Sequence, residues 1–350
     1  MKKIRVLIFL LLGLAIYAEN NRLPVDISGY VEARTFLPWQ DSVNVYGYGR
    51  GWLEFKTNQD NYGTQTAFDY FVPFDTIHTS GIKSGLNISR LAVWLGPENI
   101  RVIAGRQRII WGVARVFRPL DIFNPANFFE PGYERFGVNA IMLNLALGSL
   151  TNTRLLCLPQ FDLKSSALAL RFGSNLFKND IGLNAYYKSS EKKLILGTDL
   201  AGELLLGYWA ELTYTKEDTA KYFKTSVGID YTFPLTIYGM IEYFYDQSGQ
   251  NDSRHYDYTK LLAGARSTLA QHYLYISFSS IPNLILSPSI NGVINLNDQS
   301  FILMPQISYQ PWENTVLNFG FDFPIGSHSS EFKTITGFDG MAFFWAKVYF

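Results

Sequence analysis

The sequence predicts an all-β fold: a transmembrane antiparallel β-barrel of about 18 strands, with 16 as the alternative, and one long loop folded inward. Three observations carry this. Segments of about ten residues alternate apolar and polar side chains along most of the chain, with turn residues between them. Aromatic residues make up 16% and charged residues only 17%, as suits an outer surface that faces lipid between aromatic girdles. The N-terminus reads as an export signal.

That leader has a basic start at Lys2, Lys3 and Arg5, an apolar core from Val6 to Ile16, and a cleavage position at Ala18 that leaves Glu19 as the new N-terminus. Ile16 is larger than the small residue preferred at that place, so an uncleaved helix is the alternative. It is disfavoured because a spanning helix needs about 20 apolar residues. The expected division is a signal peptide over 1–18 and a single outer-membrane barrel over 19–350. No later run reaches the ~18 apolar residues of a helical span. Without residues 1–18 the chain carries 27 basic against 30 acidic groups, a formal charge of −3. That argues against nucleic acid, whose binding needs a strongly basic face. Cys157 is the single cysteine, so neither an internal disulfide nor a cysteine metal cluster is expected.

The strands are read one by one. In Tyr222–Tyr231, Lys224, Ser226, Gly228 and Asp230 oppose Phe223, Thr225, Val227, Ile229 and Tyr231. In Val43–Lys56, Tyr46, Tyr48, Arg50, Trp52, Glu54 and Lys56 share one face. Ile27–Thr35 puts Glu32 and Arg34 on its polar side, and Asn314–Phe323 puts Asn318 and Asp322 there. The weakest strands fall around Ile82–Gly105 and Lys193–Ala201. Tight turns at Gly96-Pro97-Glu98-Asn99, Phe233-Pro234-Leu235, Ile281-Pro282-Asn283 and Gln310-Pro311-Trp312 alternate with the more polar connections Thr215–Lys221, Asp246–Thr268 and Gly326–Gly340. Counted back from the C-terminus, every Pro turn lands on the periplasmic side, where barrels keep their turns short. Met341–Phe350 ends the chain as an alternating strand. Phe344, Val348 and the terminal Phe350 look like the assembly signal read by the barrel assembly machinery.

Arg106–Phe136 breaks the alternation. At about 30 residues it is too long for an ordinary hairpin loop, and its aromatics need somewhere to pack. Gly105-Arg106-Gln107, Trp111-Gly112, Arg115, Pro119, Asp121 and Phe123-Asn124-Pro125 resemble the signature of a broad family of porin-like outer-membrane barrels, some related to alginate-export proteins. The match covers about 25 residues closely. Where the family shows an aromatic-Asn-Pro, this chain has Phe117-Arg118-Pro119, so detailed selectivity does not carry over. The resemblance implies a barrel with an inward-folded segment.

On this reading the segment narrows the lumen. Arg106, Arg108, Arg115, Arg118 and Arg135 supply positive charge, and Asp121, Glu130 and Glu134 face or pair with them, since rings of charge tune pore selectivity. Alternatively, such pairs brace the loop against the wall, and both roles stay open. Asp121 beside proline reads as turn-forming. Alternation turns Glu32, Arg34, Arg50, Glu54, Lys56, Glu211, Lys224, Asp230, Glu242 and Asp322 inward, a mixed-sign lining for a hydrated lumen. An interior filled by ion pairs is the rival.

The four histidines lack metal-ligand spacing, no Gly-x-Ser-x-Gly occurs, and no cofactor is implied. An enzyme is therefore not expected. The expected partners are outer-membrane lipid and small polar or charged solutes passing through a porin-like channel. Two rivals remain. One is a polysaccharide export conduit, for which the inward Tyr46, Tyr48, Trp52, Trp209 and Tyr238 offer stacking faces. The other is a non-conducting structural or adhesion barrel. Trimerisation is common among porins, and a homotrimer stays open.

Overall fold

A computed structural model describes residues 25–74, 84–123, 136–262, 266–280 and 285–350. The expected leader and cleavage position lie outside the described residues, as do Glu130, Glu134, Arg135 and the turn at 281–284.

One antiparallel sheet of 18 strands closes on itself. The first half holds β1 (Asp26–Trp39), β2 (Tyr46–Asn58), β3 (Tyr62–Pro73), β4 (Gly85–Leu95), β5 (Ile100–Gln107), β6 (Val138–Ala146), β7 (Thr151–Leu158), β8 (Ala167–Leu176) and β9 (Asn179–Lys188). The second holds β10 (Lys193–Glu203), β11 (Gly207–Lys216), β12 (Lys221–Phe233), β13 (Ile237–Asp246), β14 (His272–Ser280), β15 (Leu286–Asn295), β16 (Ser300–Trp312), β17 (Thr315–Ile325) and β18 (Gly340–Tyr349). Each strand pairs with its sequence neighbours. β1 closes the ring on β18, in register from Tyr30 opposite Tyr349 to Trp39 opposite Gly340. Phe350 completes the seam, exchanging backbone hydrogen bonds of 3.0 Å with Gly29. Closure leaves no unpaired edge, the condition for strands in hydrocarbon, where each unsatisfied backbone group costs several kcal/mol.

The outer face is apolar. Leu91, Val93 and Leu95 of β4, Leu168 and Leu170 of β8, and Val227 and Ile229 of β12 stand exposed in alternation with inward residues. Aromatic rings mark both rims. Tyr62, Tyr231, Phe233 and Tyr309 sit at the end that carries the termini, and Tyr187, Tyr214 and Phe223 at the other. Exposed leucine and valine between two aromatic belts is a lipid-facing band.

Short turns gather at the end with the termini. The strands β3, β5, β13 and β17, which the longer connections follow, all end at the opposite, external end. The expected weak strands exist. β5 has only eight residues, and β4 carries an irregularity where Ala67 pairs with Arg90 and Phe68 with Ile88, leaving Ser89 extra. One expected turn is strand instead. Gln310-Pro311-Trp312 ends β16, and the register shifts between Tyr309 and Trp312, an irregularity that accommodates a residue without an N–H.

Candidate functional site

The segment after β5 lies inside the barrel. Gln107 ends the strand, its side-chain amide donating to the carbonyls of Ile103 (3.2 Å) and Ala140 (3.1 Å). Arg106 Nε donates to the Gly137 carbonyl at 3.0 Å, tying the exit from β5 to the return into β6. Trp111 is 1% exposed and meets Phe123 edge-to-face at 4.8 Å. With Ile109 and Leu120 it packs on Ala140, Leu156 and Ala169, small and apolar positions on the inner faces of β6, β7 and β8. Farther along, Phe117 stacks on Phe244 of β13 at 4.9 Å and shares a cluster with Tyr273, Val293 and Ile302 of β14, β15 and β16. The described part of the segment therefore hugs the wall from β6 to β16.

Two wall carboxylates hold its backbone. Glu211 of β11 accepts the amides of Val113 and Ala114 (2.7 Å) on Oε1 and of Leu120 (3.1 Å) on Oε2. Glu242 of β13 accepts Arg115 (2.8 Å), Val116 (3.2 Å) and Phe117 (2.6 Å), and the Trp209 indole N–H at 2.8 Å. Gly112 has φ +88°, and a Cβ there would land on the Glu211 carboxylate. Only glycine admits both the conformation and the approach.

The basic residues face the other way. Arg115 keeps 56% of its side chain exposed, 5.2 Å above the Trp209 ring and 3.6 Å from Asp230. Arg118 Nε donates to the Arg115 carbonyl. Arg108 is exposed at a cavity of about 460 Å³, lined also by Gln65, Arg90, Trp94, Gln107 and Met142. Asp121 is buried, its amide closing a turn onto the Arg118 carbonyl at 3.1 Å. Among the described residues, the segment is braced by wall carboxylates on its amides. Glu130, Glu134 and Arg135 fall outside the described residues.

All ten residues expected to line the lumen lie in strands, but six of them, Glu32, Arg34, Arg50, Glu211, Glu242 and Asp322, are buried under other side chains. Arg50 forms a two-pronged pair with Asp69 at 2.8 and 2.6 Å. Arg34 bonds Glu32 at 3.1 Å and lies 4.4 Å from the Trp345 ring. Lys347 sits 3.5 Å over Tyr30. Glu54 is half-buried against Gln65 and Arg90. Lys224 pairs with Asp246 at 3.1 Å, Asp230 receives Tyr238, and Lys56 is exposed near the end of β2. The wall around β1–β3 is thus layered with ion pairs and rings.

Sequence reasoning missed a cluster at the external end. The short helix Glu331–Thr336, between β17 and β18, buries Phe332 in the same apolar cluster as Phe117. Glu331 accepts from Tyr273 Oη (2.6 Å) and Asn295 Nδ2 (2.6 Å), and its amide donates to Asp298 at 2.7 Å. Tyr273 Oη also accepts the amides of Leu269 (2.9 Å) and Ala270 (2.7 Å). Burial pushes the Glu331 carboxyl up to about 7. No period marks such a cluster, because its members come from three connections and two strands.

No protein-family model and no curated protein matches the sequence. Solved structures do match. The outer membrane protein OprD from Pseudomonas aeruginosa superposes with a TM-score of 0.62 and 8% identity, over 93% of both chains. OccK9 (OpdG) of the same organism gives 0.63 and 11%, over 93% of this chain and 98% of that one. OpdK with vanillate, also from that organism, gives 0.61 and 8%, over 93% and 98%. The chain therefore has the fold of these outer-membrane barrels. At such identities the likeness is one of fold.

Proposed function

We propose that the chain is an outer-membrane channel for passive diffusion of small polar or charged solutes, narrowed by the 106–136 segment. The observation that carries this reading is the segment's two-sidedness: its backbone is tied to the wall, while Arg108 and Arg115 stand exposed inside the barrel. A fixed guanidinium in a confined aqueous path attracts anions and polar solutes, because it stays charged at any working pH. Asp230, beside Arg115, supplies the opposing charge of a transverse field. One structural neighbour was solved with vanillate, a small organic anion, and exposed arginines suit solutes of that charge. The apolar band and aromatic rims support residence in a lipid bilayer. Phe344 and Val348, exposed on the outer face of the last strand, and Phe350 at the seam are the residues this reading assigns to the barrel assembly machinery.

Single-channel conductance in a planar bilayer tests it. Wild type is expected to carry a steady current. Arg115→Ala with Arg118→Ala is expected to change its size and shift ion selectivity toward cations. Silence from folded wild type would overturn the channel reading. It would favour a closed structural barrel, or a polysaccharide conduit opened by its polymer.

A further inference from the structure

We propose that Glu211 and Glu242 are the positioning residues of the constriction, each filling a nest of backbone amides so that together they fix how far the segment projects into the lumen. This rests on the channel reading above, and its test separates the two.

Six of the seven backbone N–H groups from Val113 to Leu120 (Pro119 has none) go to these two carboxylates. Successive amides converging on one anion form a nest, a concave site of fixed partial positive charge. The anion here belongs to the wall. Neither carboxylate faces a cation across the strands. Glu211 pairs with Asp199 and Ser226, and Glu242 with Gly228 and Tyr275. Both are almost fully buried. A buried carboxylate without a cation is costly unless hydrogen bonds compensate it, and a barrel wall alone has no use for one. The segment's amides supply that compensation, as does the Trp209 indole for Glu242. Gly112, with its positive φ, opens the space Glu211 occupies.

The arrangement has a consequence for selectivity. Wall anions take up the amides, so the backbone of 113–117 and 120 is held without an arginine. Arg115 keeps its side chain largely exposed.

Glutamine is nearly isosteric with glutamate but is the wrong partner. Each carboxylate takes donors on both oxygens, and a glutamine NH₂ would confront an N–H on one side. Hydrogen–deuterium exchange of the 113–120 amides is measured in Glu211→Gln, Glu242→Gln and the double variant, with single-channel recording in parallel. Asp69→Asn is the control, a buried wall carboxylate paired with Arg50 and away from the segment. Exchange of 113–120 is expected to rise roughly 10- to 100-fold in the Gln variants, since hydrogen bonds to charged groups are the strong ones. Strand amides of β8 and β9 should hold, and the open-channel current should grow and become noisier. Unchanged protection of 113–120 overturns the proposal, whether or not wild type conducts. Faster exchange with an unaltered current also overturns it, because the anchors would then not set the opening. Faster exchange in a protein whose wild type never conducts leaves the anchoring intact and removes the channel reading instead. Should the Gln variants fail to insert, Gly112→Ala displaces Glu211 without touching its charge. It is expected to raise exchange at Val113, Ala114 and Leu120 first.

Discussion

The external helix Glu331–Thr336 is expected to hold more tightly in acid than in alkali, and the whole effect should pass through one carboxyl. Glu331 sits among Tyr273, Asn295 and the apolar cluster of Phe332, with Asp298 bound to its amide. Burial lifts it from an ordinary 4.5 to about 7. The docked helix therefore binds the proton more tightly than the undocked one. Docking is complete below about 4.5 and weakens as pH rises through about 7. Each tenfold preference for the proton is about 1.4 kcal/mol, so the difference between the two limits is roughly 3 kcal/mol. Hydrogen exchange, corrected for the intrinsic pH dependence of amides, reads this directly at 331–336 and at Leu269 and Ala270. Between pH 4.5 and pH 8, opening is expected to become about 100-fold more frequent. Glu331→Gln keeps an acceptor for Tyr273 and loses the titration, so its opening should be flat with pH. A flat wild type would sink the reasoning, and so would a Glu331→Gln variant that still tracks pH.

Two further outcomes follow from packing. Trp111→Ala should empty the pocket shared with Phe123, Leu120 and Leu156 and cost roughly 3–5 kcal/mol of segment docking; faster exchange over 108–123, with the strands still protected, is the expected signature, and unchanged exchange would count against the packing described. Arg50→Met should strand Asp69, which is fully buried, and destabilise the barrel by roughly 3–5 kcal/mol in denaturant titration. Adding Asp69→Leu should recover most of that loss, and no recovery would mean that the pair is not the source.

Strand faces were legible because the side-chain period in a sheet is two and one face meets lipid. In β12 the reading of Lys224, Ser226 and Asp230 against Val227, Ile229 and Tyr231 matches the structure residue by residue. The weak places were weak for physical reasons. β5 is only eight residues long, and the extra Ser89 in β4 shifts the phase that a two-residue period relies on. Pro311 reads as a turn because proline donates no hydrogen bond, yet an irregular strand end removes the need for that donor just as well.

The site was legible only in part, because alternation fixes which face a side chain takes and not what covers it there. Alternation puts Glu211 and Glu242 on one face of their strands, but whether such a carboxylate meets water, a cation or an amide depends on a segment about 100 residues away in sequence. A signal was present. Each lies opposite neighbours that offer no positive charge, and the distant loop carries a Trp-Gly whose glycine can adopt a positive φ. The arginines and acids of the segment read equally as charge facing the lumen and as pairs bracing the loop against the wall. In the structure the main-chain amides of 113–117 and 120 meet wall carboxylates, and Arg115 keeps an exposed guanidinium. That division suits a constriction. An arginine paired to hold the loop would be neutralised toward solute, whereas a backbone amide held by a wall carboxylate fixes the loop without using a guanidinium for that task.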